Sequence, residues 1–409
     1  MLVLLVVVTG CTARTGASPS GHLTGSPPIA TSPTTPATSG SASSSSAQTA
    51  GAALPDGSAG PQSISFVTAD EGWALSPGSC TGCARISHTT NAGAHWTTLT
   101  STLHLPASRD TSDVVEGLAE LDFLNHRDGY LFITSSCSSG CGLVTTDGGH
   151  TWGTVLIPEP GMVVNGSHSL YALTHGPELL RIAIGGSHAT TLPLPRVHTT
   201  DLRGYTIAAG EDTLAVLQVG SDLEGPLRNA GDLQTPAPAG ALWISTLQGD
   251  RLTRVTDPCR NLDGGAAAVS VALDHPNALL LDCYNGQQSS QEASTQNHLY
   301  GSGDDGHDWS RLADPSDTGA PGLLADNGNF HAFFVSEGGE GYELHVSLDG
   351  GAHWHLALRG GSGGYNMAGP DFLTPEVGFA LGPTHYAPEH LYRTIDAGRT
   401  WQQLSLPDR

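Results

Sequence analysis

The chain has 409 residues and a formal net charge of −23, from 39 acidic residues against 16 basic ones, every basic residue being Arg. That balance leaves no basic face for phosphate, which excludes nucleic acid as an expected partner, and the surplus acid suits the solvated surface of an exported protein. No stretch of residues 61–409 carries a helical period, so an all-β fold is expected.

Residues 1–9 form an apolar run that ends in Val8-Thr9-Gly10-Cys11. A run of that length cannot cross a bilayer. Its ending resembles the lipobox of bacterial lipoproteins, where cleavage leaves the Cys as the acylated first residue. The resemblance implies a signal segment over 1–11, a lipid on Cys11 and attachment to the bacterial cell membrane on its extracytoplasmic side. No basic region precedes the apolar run as it does in secretory leaders, a departure we attribute to a start codon placed downstream of the true one. Residues 12–60 hold no aromatic residue and are dominated by Ser, Thr, Pro, Ala and Gly. Such a segment buries too little apolar surface to offset its ordering entropy and is predicted to be a disordered tether that spaces a domain from a surface.

From residue 61 onward the chain repeats itself. A short apolar segment at 64–66 is followed by Gly72-Trp73 and then by Thr89-Thr90-Asn91-Ala92-Gly93-Ala94-His95-Trp96. The same order returns at 121–123, Gly129-Tyr130 and the octet 145–152, and again at Phe372, Gly378-Phe379 and 394–401. Two further octets stand at 302–309 and 347–354. All five fit Ser/Thr-x-Asp/Asn-x-Gly-x-x-Trp, with Asn91/Trp96, Asp147/Trp152, Asp304/Trp309, Asp349/Trp354 and Asp396/Trp401 at the fixed positions. Self-similarity of this period marks a unit that buries its apolar faces only by stacking on its neighbours. Successive acidic positions are 56, 157, 45 and 47 residues apart. The long step is close to three ordinary ones, so two units lack the octet and the count is seven. Residues 61–409 then give roughly 50 residues to each, enough for four short strands and their turns. The predicted units are 62–100, 119–157, 161–196, 203–257, 266–313, 321–358 and 368–406. The third and fourth rest only on apolar runs at 169–173, 179–184, 213–219 and 241–245.

The octet resembles the Asp-box, or BNR repeat, of sialidase-like and photosystem II assembly-factor-like propellers. The resemblance implies a seven-bladed β-propeller of four-stranded antiparallel blades, with each box joining strands three and four on the face opposite the usual ligand site. The box itself is expected to be structural: the Asp accepts backbone N–H groups, the Gly supplies an unusual dihedral and the Trp packs against the sheet.

Setting Cys11 aside, six cysteines remain, Cys80 and Cys83, Cys137 and Cys141, Cys259 and Cys283. An even number in an exported chain points to disulfides: local clips with a Cys259–Cys283 bridge, or cross-pairing of the first two loops. The first four could also hold Zn²⁺, although oxidation outside the cell competes with thiolate ligation. No metal or cofactor is expected. His95, His150, His307 and His353 fall in variable positions of the octets, and His353-Trp354-His355 would point two imidazoles to one side of a strand.

Catalytic signals are sparse. The Phe/Tyr-Arg-Ile-Pro motif of sialidases is missing, since Arg85-Ile86 is followed by Ser87 and Arg181-Ile182 by Ala183. A glycoside hydrolase with two carboxyls across a cleft remains the alternative to a non-catalytic module that binds a protein or a glycan. Ligands are expected on the loops joining strands two to three and blade to blade, at 79–84, 135–141, 220–240, 285–297, 336–341, 382–390 and 101–120. The candidate contact residues there are Arg109, Asp222, Glu224, Arg228, Glu337, Glu340, Tyr386 and His390. The whole is expected to be a monomer.

Overall fold

The computed structural model describes residues 61–407, apart from 81, 106–118, 134–141, 159, 167, 175–177, 195–204, 211–212, 219–240, 247–250, 262–265, 273–276, 287–294, 316–319, 328, 337–341, 361–370 and 382–389. The predicted tether and Cys11 lie outside them, as do Cys137 and Cys141.

Twenty-eight strands form seven four-stranded antiparallel sheets, each with its strands in sequence order, and the sheets close into a seven-bladed β-propeller. Blade 1 holds β1 (Ser63–Phe66), β2 (Gly72–Pro77), β3 (Cys83–Thr89) and β4 (Thr97–His104); blade 2 holds β5 (Ala119–Phe123), β6 (Gly129–Ile133), β7 (Gly142–Thr145) and β8 (Gly153–Val155). Blade 3 is β9 (Pro160–Asn165), β10 (Ser169–Thr174), β11 (Leu179–Ala183) and β12 (Ala189–Leu192); blade 4 is β13 (Tyr205–Ala209), β14 (Thr213–Gln218), β15 (Ala241–Thr246) and β16 (Thr253–Val255). Blade 5 follows as β17 (Ala266–Val271), β18 (Leu279–Gly286), β19 (Thr295–Ser302) and β20 (Ser310–Arg311). Blade 6 comprises β21 (Ala320–Asn327), β22 (Phe330–Ser336), β23 (Tyr342–Ser347) and β24 (His355–Gly360), and blade 7 β25 (Asp371–Phe372), β26 (Gly378–Leu381), β27 (Leu391–Thr394) and β28 (Gln402–Leu404). The predicted units match these blades to within a few residues, including the two inferred without an octet. Among the described residues the only helical turn is a four-residue 3₁₀ segment at Pro258–Asn261, and no helix is long and apolar enough to cross a membrane.

Burial explains the sequence pattern. A second strand packs a neighbouring blade on each face, so β6 (GYLFI) is buried throughout and β14 (TLAVLQ) nearly so. Fourth strands lie at the rim and are polar and exposed, as in β4 (TTLTSTLH) and β28 (QQL). The core is therefore distributed: seven apolar clusters, one at each seam between blades, replace a single centre. Burying apolar area at about 25 cal/mol per Å² at every seam is what makes a ring of individually flat sheets stable.

Each blade is contiguous in sequence, so the ring closes without strand exchange. Its closing seam relies on packing between blades 7 and 1, where the Phe66 and Phe379 rings stack with centroids 3.6 Å apart. The same arrangement recurs at the next seam, where Trp73 stacks on Phe123 at 3.8 Å. In blades 1, 2 and 7 the strand-one Phe lies opposite the first Gly of strand two, in the pairs Phe66–Gly72, Phe123–Gly129 and Phe372–Gly378. A Cβ on those glycines would fall 2.5 to 2.7 Å from the phenyl ring. The recurring Gly of the strand-turn-strand signal is thus a seat for an aromatic ring. Inner strands also bond to one another: Ser63 Oγ accepts the Leu121 N–H at 3.1 Å and Ser65 Oγ the Phe123 N–H at 2.7 Å.

Candidate functional site

Up-and-down connectivity sorts the connections onto two faces. Turns joining strands one to two and three to four emerge on one face, and those joining strands two to three and blade to blade emerge on the other.

The first face is built by the five octets. In each, the Ser/Thr hydroxyl donates to the Asp/Asn carbonyl or carboxylate oxygen two residues on, at 2.8 to 3.0 Å, and accepts the N–H of the Gly four residues on, at 2.8 to 2.9 Å. The Asp/Asn oxygen accepts a further N–H four residues on, at 2.8 to 2.9 Å. This forces two successive left-handed residues, and at three of the five turns the first is not Gly: Ala92 (φ 57°), Asp305 (φ 58°) and Ala397 (φ 60°). Burial alone would raise the Asp147 carboxyl, but bonds from Thr151 and Thr145 outweigh it and hold it at about 2. The imidazole of His353, bonded to Asp349, likewise holds that carboxyl at about 2.

The Trp of the octet does something the sequence did not suggest. It packs on its own sheet as expected, edge-on to the strand-one Phe for Trp96, Trp152 and Trp401, and in addition Trp96, Trp152, Trp309, Trp354 and Trp401 all reach across the seam to the preceding blade. Trp96 of blade 1 donates its indole N–H to Ser405 O beyond β28, Trp309 of blade 5 to Thr256 O beyond β16, and Trp354 of blade 6 to Ala313 O beyond β20, at 2.7 to 3.0 Å. Trp152 donates to Gly149 O within its own turn, while its ring joins the apolar seam that blade 2 shares with Leu75 and Ile86 of blade 1. Trp401 of blade 7 departs furthest from the pattern. Its ring joins the cluster formed by Phe330, Leu344 and Val346 of blade 6 and stands edge-on to Phe372 of its own blade at 6.3 Å. Its indole N–H is buried and meets no acceptor among the described residues, so this ring adds apolar contact to the seam and no hydrogen bond among those residues.

The octet is therefore a fastener between blades. Two of the octet histidines serve the turn as well: His353 Nδ1 lies 2.6 Å from Asp349 Oδ2 and His307 Nδ1 2.7 Å from Asp304 O. His353 lies in the turn and His355 opens β24, so the two do not form the same-side pair that the sequence suggested.

The other face is where ligand contacts were predicted. Arg109, Asp222, Glu224, Arg228, Glu337, Glu340 and Tyr386 lie outside the described residues. His390 is described: it immediately precedes β27, and its Nδ1 lies 2.8 Å from Gln403 Nε2 of β28, towards the rim of blade 7. Two predicted loops are shorter than expected, because β18 and β19 extend into 285–297 and β4 runs to His104. Both described disulfides brace this face. Cys80–Cys83 closes the β2–β3 connection, and Cys259–Cys283 ties the segment between blades 4 and 5 to β18. Beside the 337–341 loop, Glu343 of β23 accepts from His345 Nε2 at 2.8 Å and from the Arg359 guanidinium. Burial would raise this carboxyl, but those two partners hold it below its ordinary range. Nothing in the sequence flagged this cluster: Glu343 and His345 share one face of β23, and the β23–β24 register brings Arg359 to them.

Two other carboxyls are pushed well up by burial. Glu120 of β5 is raised further by Asp122, and Asp282 of β18 further by Asp314. Asp282 is 0% exposed, and neither of its oxygens meets a hydrogen-bond partner among the described residues. Glu120 stands in the first strand of blade 2 and Asp282 in the second strand of blade 5.

The chain matches no protein-family model and no curated protein. Among solved structures it is similar to YCF48 bound to a D1 peptide, at 16% identity and a TM-score of 0.50, over 83% of this chain and 94% of that one. It is also similar to YCF48 from Cyanidioschyzon merolae, at 15% identity and a TM-score of 0.50, over 83% and 97%. The GH74 xyloglucanase from Xanthomonas campestris aligns at 15% identity and a TM-score of 0.45, over 84% of this chain but only 60% of that one. At these identities the likeness is one of fold.

Proposed function

We propose that the chain is a non-catalytic binding module, a lipid-anchored propeller held outside the cytoplasmic membrane, with Asp-box turns beneath and a protein or glycan ligand on the loop face. The observation that carries this reading is the difference between the two faces. One is spent on fastening blades through repeated, internally bonded turns; the other carries connections of widely differing length on a braced ring, the arrangement in which loops serve recognition. Disulfides on that face suit an oxidising compartment and so support export. The YCF48 structure that nearly matches this chain in span holds a D1 peptide, which supports a peptide segment as one form of the ligand. The lipobox-like ending at Cys11 and the polar tether supply the anchor and the reach.

The purified full-length chain, tested on peptide and glycan arrays alongside an assay for reducing sugar ends, is expected to retain a ligand without releasing product. Multiple-turnover release of reducing ends would overturn the reading in favour of a glycoside hydrolase. Metabolic labelling with an alkynyl fatty acid in a lipoprotein-processing bacterium should mark the chain and fail to mark Cys11→Ser. Equal labelling of both would remove the anchor from the account.

A further inference from the structure

We infer that Cys80, Cys83 and His104 form a redox-gated site for a soft metal ion, Cu(I), on the loop face of blade 1. The ligand atoms of the three residues lie within 4.8 Å of one another. Cys83 and His104 are direct cross-strand partners, with Cys83 Sγ 3.5 Å from His104 Nδ1. His104 reaches that position because β4 is eight residues long, where the fourth strands of the other blades have two to six. The extra length carries the imidazole level with the cysteine turn.

The Cys80–Cys83 bridge has little structural work to do. It spans a sequence separation of 3, whereas Cys259–Cys283 spans 24, and loop-closure stabilisation grows with loop length. The small turn is already closed by backbone bonds, Cys83 N–H to Cys80 O at 3.0 Å and Leu105 N–H to Gly82 O at 3.1 Å. Opening the sulfur bridge leaves that frame in place. Access differs in the same sense: Cys80 is exposed, while Cys259 and Cys283 are both 0% exposed. An exposed disulfide is the labile kind, open to thiolate attack.

The opening step balances with an exported dithiol as reductant. Its thiolate attacks Cys80 Sγ, the Cys80–Cys83 bond breaks, and Cys83 leaves as a thiolate beside His104. The second thiol of the reductant, giving up its proton, displaces Cys80 as a thiolate. Two electrons pass and the reductant departs as a disulfide. Two thiolates and one neutral imidazole then face a common point, a trigonal set of soft donors that suits Cu(I), whereas Zn²⁺ favours four ligands.

The test treats the full-length chain with a mild dithiol, counts freed thiols by alkylation and mass, and titrates Cu(I) against a chromogenic chelator. Reduction should free Cys80 and Cys83 while Cys259–Cys283 stays closed. The reduced chain should bind one more Cu(I) than the reduced Cys80→Ser/Cys83→Ser variant, which keeps every other cysteine as an internal control. His104→Gln, a surface change that leaves folding intact, should weaken that copper about tenfold or more, and X-ray absorption should find two sulfurs and one nitrogen. Resistance of the Cys80–Cys83 bridge to the dithiol would overturn the proposal, as would equal copper in both chains, indifference to His104→Gln, or tighter Zn²⁺ than Cu(I).

Discussion

Blades 5, 6, 7, 1 and 2 meet the blade before them through an octet tryptophan, whereas blades 3 and 4, which lack the octet, meet theirs through strand side chains alone, aliphatic ones together with Tyr130 and Phe132 at one seam and Tyr171 and Trp243 at the other. In blade 4 the position just before the fourth strand, where the octet has Trp, is Leu252, and it packs against the blade 3–4 cluster as the tryptophans pack at their own seams. The seam between blades 2 and 3 is filled by Leu170, Leu180, Ile182 and Val163 of blade 3 against Tyr130, Phe132 and Val144 of blade 2, with the Tyr130 hydroxyl donating to Ala183 O at 3.1 Å. What every blade must satisfy is a closed apolar seam; the octet is one way of making it. A hydrogen-bonded turn supplies rigidity at low apolar content, and where it is missing the aliphatic and aromatic side chains of the strands close the seam.

Substitutions at the seams test how far the two arcs are equivalent. Phe66→Ala, at the closing seam, removes a ring that is 2% exposed and stacked on Phe379. It should lower unfolding free energy by about 3–5 kcal/mol in denaturant titrations. Loss of less than a third of that would show that closure does not depend on this stack. Trp354→Ala should cost about 2–4 kcal/mol, because the ring is half-buried and its N–H partner Ala313 O is set free, and Leu252→Ala about 1–2. If Leu252→Ala is silent while Trp354→Ala is costly, the equivalence of the two positions fails.

Acidity distinguishes two kinds of carboxyl within the octet-bearing blades. Asp147 and Asp349 titrate at about 2 in the folded chain, below the unfolded value of about 3.9. Their contribution is therefore complete above about pH 4 and is lost as pH falls towards 2. Asn91 fills the same role in blade 1 without a charge, bonding His95 N–H at 2.8 Å, so Asp147→Asn should keep the turn and flatten the acid limb of the stability curve. Asp282 behaves oppositely. Burial raises its folded value, so stability is highest below the unfolded value and declines as pH rises towards the folded one. Asp282→Asn should melt higher than the parent at neutral pH, with the difference closing below about pH 4 in thermal scans; a constant difference at all pH values would refute the assignment.

The smallest expected effect is a gain. Asp305 holds φ 58° where two other octets have Gly148 and Gly350, and burial raises its carboxyl. Asp305→Gly should stabilise by about 0.5–1 kcal/mol, strain relief outweighing the added freedom of the unfolded chain. Destabilisation would mean that its side chain contributes something beyond the turn.

The blade count, the strand order and the placement of the turns were legible because the octet is local: Thr145, Asp147 and Gly149 bond one another within five residues, and spacing alone exposes that. Blades 3 and 4 could be read from apolar runs because a second strand covered on both faces must be apolar, whichever neighbours it meets. The destinations of Trp96 and Trp401, the partnership of His104 with Cys83, the Glu343–His345–Arg359 cluster and the isolation of Asp282 could not be read that way. Each depends on which strands or blades lie side by side, and residues such as Trp96 and Ser405, at opposite ends of the propeller sequence, become neighbours only when the ring closes. Sequence periodicity determined the repeating unit and its number, because short-range hydrogen bonding and burial act within one blade. Tertiary structure alone decided what crosses the seams and what gathers on the loop face, because those contacts depend on which strands and blades lie side by side.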